Sequence, residues 1–391
     1  MIVRRVTRFM GPGLLGALVA CQPSAGGQGG GNPGLGDSSS AGSQGAADSD
    51  ETTEDDTGGT ALPSARRRRL DVAAEHVGVT EDATVLVVLD DSRIEYDLTE
   101  AGGVDLRFFA DDGTTALPAQ IEQWDPDGTS LVWVRLSGDA VPDHFWMYYG
   151  DAEAFDPAAP SIVWDEHFEA IWHMTGSDAS TMPDASGSGH DLSLETFDGT
   201  LDVPGVIGNA ARFQVGEAPR NGMELLSGDA LALSEAITIE AWVSVVEGEA
   251  NGDRFAAIKN GSYSLSTMSA APPSRRPAVT VRTAADAPSI EAGGSLGDDW
   301  TYVVATYRAD EGTLIIARNG TVETSMTLDD PAEQRLLTVN DQPLAIGHRL
   351  EGELDEVRIS SIARSSAWIR LQHASMTDTL LSFGPPEARP D

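Results

Sequence analysis

Acidic side chains are this chain's most plentiful chemical resource, and two stretches gather them at spacings that could do work. In GELDEVRI, Glu353 and Asp355 stand two residues apart and Glu356 follows at once. Alternate residues of a strand share a face, so Glu353 and Asp355 could address one ligand. Retaining hydrolysis of a glycosidic bond needs two carboxyls about 5 to 5.5 Å apart, flanking the bond. The next position on that face is Val357, and Glu356 comes one residue early unless a bulge turns it. The strand therefore reads as a solvated edge or a source of cation ligands rather than a catalytic pair. The second stretch, PDASGSGHD, offers Asp184, glycine-permitted carbonyls, and Asp191. Calcium takes about six to eight oxygens from such flexible loops, although the same residues would also close a simple Asx turn. Other catalytic signatures are missing: no His-Glu-x-x-His helix, no Gly-x-Ser-x-Gly elbow and no phosphate-binding glycine loop. The seven histidines are scattered, with His173 and His190 nearest to recognisable motifs.

One thiol remains, and its setting specifies its chemistry. Cys21 is the only cysteine, so it forms no disulfide within the chain and no multi-cysteine zinc site. Arg4, Arg5 and Arg8 precede an apolar run from Phe9 to Ala20, long enough for a signal-peptide core and too short to span a bilayer stably. Leu18-Val19-Ala20-Cys21 ends it and resembles the lipobox of bacterial lipoproteins. The resemblance implies cleavage after residues 1–20 and acylation of Cys21 as the mature N-terminus. Several acyl chains on one residue would anchor the protein stably, where one would not. An exported, lipid-anchored envelope protein is implied, with Gln22 after the cysteine favouring the outer membrane or cell surface.

Residues 21–65 carry almost nothing that could be buried, and the Gly/Ser/acidic composition predicts a disordered tether. Such a chain reaches on the order of 35 Å, and DSDETTEDD would extend it further by self-repulsion. The Arg66–Arg69 run that follows reads as a solvated domain edge. A formal net charge of −37 argues against nucleic acid as a partner and makes cations the better small ligands. Lys259 is the only lysine, a bias that reads as composition rather than mechanism.

The elements that must position these side chains are strands. ATVLVVLD, TSLVWVRL and HFWMYYG are β-branched or aromatic runs, and ADDGTT and DPDGTS carry Asp-Gly turns, which together predict a small antiparallel β-sandwich over 66–155. These residues, with LDDSRIEYDLTEAGGVDLRFFADDGTTALPAQIEQW, resemble the domain of unknown function 2341 family, which implies a fold context and no activity. Beyond the Ala/Pro-rich boundary near 151–161, residues 160–385 change grammar. FEAIWHMTG, PDASGSGHDLSL, GVIGNAARF, AITIEAWVSVV, DDWTYVVATY, TLIIARNGTVE and EGELDEVRISSIARSSAWI, in that order, resemble the concanavalin-like, laminin-G-like jelly-roll family. In AITIEAWVSVV, Ile237, Ile239, Ala241, Val243 and Val245 alternate with Thr238, Glu240, Trp242 and Ser244, as in a half-buried strand. Asn319-Gly320 is a hairpin signal, and Trp172, Trp242 and Trp300 read as packing residues rather than sugar platforms. Leu350 and Leu354 differ in parity from Val357 and Ile359, so a β-bulge at Asp355-Glu356 is needed to bury all four.

The expectation is an all-β chain: a disordered tether, a small antiparallel β-sandwich, then a concanavalin/laminin-G-like jelly roll. The jelly-roll resemblance further implies that the Asp184 loop carries a structural calcium or lies against the acidic strand, with Asp184, Asp191, Asp355 and the carbonyl of His190 as ligands. It also places in the same superfold glycoside hydrolases whose strand reads Glu-x-Asp-x-(x)-Glu, a pattern that this chain leaves incomplete. The function expected is non-catalytic binding of glycans or extracellular proteins, held at the membrane through Cys21. A hydrolase on the same fold and a structural envelope protein without a ligand are the alternatives.

Overall fold

Alternating strands and Asp-Gly turns build the first module. The structure, a computed structural model, describes residues 65–388 apart from 137, 139, 151–162, 177–179, 215–221, 247–253 and 269–274. Cys21, the apolar leader and the acidic tether lie outside the described residues. One antiparallel sheet orders Leu381–Phe383, Arg66–Val72, His144–Tyr149, Arg107–Phe109 and Ala116–Leu117; the other orders Ala83–Leu89, Ser130–Leu136 and Ala119–Gln123. Phe145, Met147 and Tyr149 alternate inward from one sheet to meet Val85, Val87, Val132 and Val134 from the other. At the ADDGTT turn, Asp112 Oδ1 accepts the amides of Thr114 and Thr115 at 2.7 and 2.8 Å. The arginine run is not a solvated edge: it is part of an interior strand of its sheet. Arg68 points inward and donates to Ser92 O at 2.9 Å, while Arg67 lies 4.2 Å over the Trp146 ring. Alternation along the strand sends Arg66 and Arg68 to the face that buries Leu70 and Val72, and Arg67 and Arg69 to the other, so the four guanidiniums have no common solvent face.

The second module is a jelly roll of two eight-stranded antiparallel sheets. The first runs Ser289–Glu291, Ala278–Val281, Tyr263–Met268, Arg254–Lys259, Leu344–Ile346, Met223–Leu225, Leu192–Ser193 and Thr181–Met182. The second centres on Gly352–Ser360, Ala236–Val245 and Thr301–Arg308. Between them sits a core that includes Trp172, Ile239, Val243, Leu265, Val279, Tyr307 and Ile316. Asn319 and Gly320 both take positive φ, 45° and 75°, and turn Thr313–Arg318 into Thr321–Thr327, as the hairpin signal predicts.

The expected bulge is present. Glu240 pairs with Arg358 and Trp242 with Asp355, so one residue of Ala236–Val245 opposes two of Gly352–Ser360. Glu356 takes φ 51° to accommodate the extra residue. In consequence Leu350, Leu354, Val357 and Ile359 are all fully buried in the jelly-roll core.

Two expectations need correction. Ala236–Val245 is not half-buried: every residue from Ile237 to Val245 is buried, because its outer face carries a second core. Ile171, Trp242, Tyr302, Val304 and Ala317 on that outer face pack into the same cluster as Leu86, Trp133 and Trp164. Nor does the jelly roll run to residue 385. The helix Ser366–Met376 lies along the exposed edge of Ala83–Leu89, and Leu381–Phe383 joins the first module's sheet beside Arg66–Val72. Ser375 Oγ accepts from Leu86 N at 2.6 Å, Gln372 Nε2 donates to Thr84 O at 3.1 Å, and Trp368 Nε1 donates to Asp82 O at 3.0 Å. A strand edge left open would be a template for unwanted pairing, and this helix covers it. The described residues accordingly form one compact unit. Among them no helix is long and apolar enough to cross a membrane.

Candidate functional site

The outer face of the first jelly-roll sheet holds a shallow trough. Its floor comes from alternate positions of three strands, Ser264 and Ser266, Ala278 and Thr280, and Ser289, whose intervening neighbours Leu265, Val279 and Ile290 point into the core. Arg254–Lys259 shifts register on both sides of Phe255, and this lets Phe255 and Ile258, three residues apart, border the same trough. Arg282 closes one end. The cavity measures about 320 Å³, and an adjoining one of about 250 Å³ shares Phe255, Ile258 and Asn260 and adds Glu224, Gln342, His348 and Arg349. Phe255 stacks on His348 with ring centres 6.1 Å apart.

The trough's chemistry is hydroxyl, amide and aromatic, with the guanidiniums of Arg282 and Arg349 and the imidazole of His348 beside them. In a chain with 62 acidic residues, Glu224 is the single carboxyl among the described residues that line either cavity. Lys259 also borders the trough, but its ammonium is fully buried and donates to the carbonyls of Gly228, Ala230 and Gln342 at 2.8, 3.2 and 2.6 Å. Burial pulls that ammonium below its ordinary pKa. The only lysine thus has a structural role that composition did not reveal: it closes three loops around one charge.

The sequence-predicted metal residues divide between two places. Asp184 Oδ1 accepts from Ile171 N and Ser186 N, both at 2.9 Å, and its Oδ2 accepts from Ser186 Oγ at 2.8 Å and His190 N at 3.0 Å. Asp191 Oδ1 accepts from Asp184 N at 2.8 Å, and the His190 carbonyl accepts from Trp172 Nε1 at 2.9 Å. These contacts make a closed Asx-type loop that ties Phe168–Trp172 to the turn after it. Asp355 is elsewhere. It is fully buried, and its Oδ2 accepts from Val206 N and Ile207 N at 2.8 and 2.9 Å. That turn must begin with Gly205, because a Cβ there would lie 2.6 Å from the Asp355 oxygen. Asp184, Asp191 and Asp355 do not come close enough together to share an ion; among the described residues another trio does.

That trio is Glu122, His173 and Glu356. Glu122 lies on Ala119–Gln123 of the first module, His173 directly follows Phe168–Trp172, and Glu356 occupies the bulge. His173 Nδ1 sits 2.6 Å from Glu356 Oε1 and 3.5 Å from Glu122 Oε2. Arg358 holds the other Glu356 oxygen through Nε at 3.0 Å and Nη2 at 2.6 Å, and Trp133 Nε1 donates to Glu122 Oε2. Burial pushes the Glu122 carboxyl up to about 7 against the pull of His173. Burial opposes the charge on His173 as well, but Glu122 and Glu356 outweigh it and carry the imidazole up to about 9. Glu356 is buried too, yet His173 and Arg358 hold its carboxyl below the ordinary range. Burial raises Glu240 and Asp355, with Glu356 nearby adding to the effect on both. No sequence spacing joins Glu122 to residues far along the chain. The bulge was the one legible signal, and it re-aims Glu356 as well as Asp355.

The three acids of the GELDEVRI strand have separate surroundings. Glu353 points outward and pairs with Arg212 at 2.7 Å, Asp355 is tied to the 205–208 turn, and Glu356 faces the interior between the modules.

Comparison with known proteins matches two segments to family models. Residues 220–370 match the Concanavalin A-like lectin/glucanases superfamily, and residues 102–175 match the domain of unknown function 2341. No curated protein matches the sequence. Among solved structures, the binding domain of Paraclostridial Mosquitocidal Protein 1 aligns at 13% identity, 54% of this chain, 52% of that chain and a TM-score of 0.43. The receptor binding domain of botulinum neurotoxin C/D mosaic serotype aligns at 14% identity, 53% and 51% coverage and a TM-score of 0.41. Domain 4 of AbnA, a GH43 extracellular arabinanase from Geobacillus stearothermophilus in complex with arabinotriose, aligns at 18% identity, 52% and 96% coverage and a TM-score of 0.39. The aligned part spans about half the length of the two toxin domains.

Proposed function

We propose that this protein is a non-catalytic glycan-binding module carried on a lipid anchor, and that the trough on the outer face of the jelly-roll sheet is its binding surface. The observation that carries the reading is the trough's lining: serine and threonine hydroxyls, Asn260, Gln342, the guanidiniums of Arg282 and Arg349, and the face of Phe255, with one carboxyl among the described lining residues. A polyol ligand offers many hydroxyls and small apolar ring faces, and pockets of about 300 to 1,000 Å³ with a few placed polar groups suit such ligands. The matching superfamily description covers both lectins and glucanases. Hydrolysis by the usual route needs two carboxyls across one bond, and Glu224 as the one carboxyl among the described lining residues supports the binding half of that description.

Anchoring through Cys21 supports display outside the cell, with the acidic tether as spacer. Palmitate incorporation that disappears in Cys21→Ser tests the anchor. For the trough, a glycan array with the purified chain tests binding, and release of reducing ends from any bound polysaccharide tests catalysis. Selective binding without turnover fits the proposal; turnover of a bound glycan refutes its non-catalytic half.

A further inference from the structure

The cluster between the modules contains more negative groups than positive ones. Glu122, Glu240, Asp355 and Glu356 are buried together with two cationic partners, Arg358 and His173, while Arg364, which also acts on Glu240, is balanced by Asp165. Four carboxylates against two cations would leave a deficit of about two charges in a dry interior, where unpaired charge is expensive. Partial protonation is one remedy, and a bound cation is another. Two observations favour a cation at one specific point. Glu122, whose side chain is 7% exposed, keeps Oε1 without a hydrogen-bond partner while its Oε2 lies 3.5 Å from His173 Nδ1, and Glu122, His173 and Glu356 each offer a ligand atom within 4.8 Å of the others. The groups that would hold the ligands in place are also present: Arg358 fixes one Glu356 oxygen and leaves the other facing His173, while Trp133 fixes Glu122.

We infer that Glu122, His173 and Glu356 form a divalent transition-metal site, of the zinc class, that joins the first module to the jelly roll. One imidazole nitrogen and two carboxylate oxygens suit zinc, which takes such ligands at about 2.0 to 2.2 Å in a tetrahedron, with ligand atoms about 3.3 Å apart. The 3.5 Å between His173 Nδ1 and Glu122 Oε2 already has that spacing, and the 2.6 Å to Glu356 Oε1 must widen by less than an ångström. Calcium fits poorly, since it wants about six to eight oxygens and no imidazole. Ion entry displaces the proton shared by His173 and Glu356 and replaces one positive charge with two, which reduces the deficit. Because one ligand comes from the first module and two from the jelly roll, the ion would stabilise the joint between them.

The test uses the full chain, stripped with EDTA and dialysed into metal-free buffer. Zinc is added, excess is removed by gel filtration, and bound metal and thermal midpoint are measured. The expected result is one zinc per chain and a midpoint several degrees higher, with calcium giving neither. Glu122→Gln, which can keep the Trp133 bond, and His173→Gln should each weaken zinc by at least the ~10-fold that changes beyond the ligands themselves produce. His144→Gln, which alters a histidine paired with Asp143 outside the cluster, should leave zinc binding unchanged. Cobalt in place of zinc should give the strong visible absorption of a tetrahedral ion, a readout that needs no variant. No retained zinc, retention equal in all variants, a six-coordinate cobalt spectrum, or stabilisation by calcium alone would each overturn the site.

Discussion

The guanidinium of Arg358, on the jelly roll, lies 4.6 Å from the centre of the Trp133 ring of the first module. Trp133 is fully buried, and Arg358 is 1% exposed. Around them the two sequence modules share one core, so they should not unfold separately. Scanning calorimetry of the full chain should show a single cooperative transition for the folded body. Two separated transitions would show that the shared core contributes little.

Trp133→Ala removes a fully buried indole at this joint and the N–H that binds Glu122. Large-to-small changes of this kind cost about 3 to 5 kcal/mol. Chemical denaturation should register a loss of that size, and a loss below about 1 kcal/mol would place the joint's stability elsewhere.

Arg364 and Asp165 form a second buried contact near the joint. Arg364 Nη2 reaches both Asp165 oxygens, at 2.9 and 2.8 Å, and the guanidinium lies 4.7 Å over the rings of Phe168 and Trp368. Removing one partner strands a buried charge, at a cost of about 3 to 5 kcal/mol. Asp165→Ala should therefore destabilise more than the double variant Asp165→Ala, Arg364→Leu. Equal losses would mean that the stranded charge finds water.

Lys259→Met leaves the carbonyls of Gly228, Ala230 and Gln342 without their shared donor. Each buried unsatisfied group costs about 1 to 3 kcal/mol, so the thermal midpoint should fall clearly. Lys259→Arg should not restore it, because a planar fork cannot reproduce three donors arranged around one point. A neutral Met variant would show that water replaces the ammonium.

How much of this was legible in the sequence follows the range of each interaction. Alternation and turn chemistry are local, and they gave the strands, the Asn319-Gly320 hairpin and the bulge at Asp355-Glu356. The bulge was legible because four apolar residues in one strand could not share a face without it. Contacts between distant segments left no such trace. Glu240 reads as the exposed side of a half-buried strand because the element that covers that face, the first module, lies far away in the chain. The helix Ser366–Met376 has seven buried residues, among them Gln372 and Ser375, whose polar groups bond to the edge of Ala83–Leu89. A helix that buries polar groups against a strand edge shows no clean apolar stripe. The trough was equally hidden, since Ser264, Ser266 and Thr280 look like any solvent-facing strand residues until the sheet places them side by side.

The central claim is that the trough binds glycan. The most direct measurement is a glycan array probed with the wild-type chain beside Ser266→Trp, which fills the trough floor, and Glu353→Gln, which alters an acid paired with Arg212 outside it. Selective binding is expected from the wild type and from Glu353→Gln, with loss of that binding in a folded Ser266→Trp. A blank array from the folded wild type, or binding that survives Ser266→Trp, would contradict it.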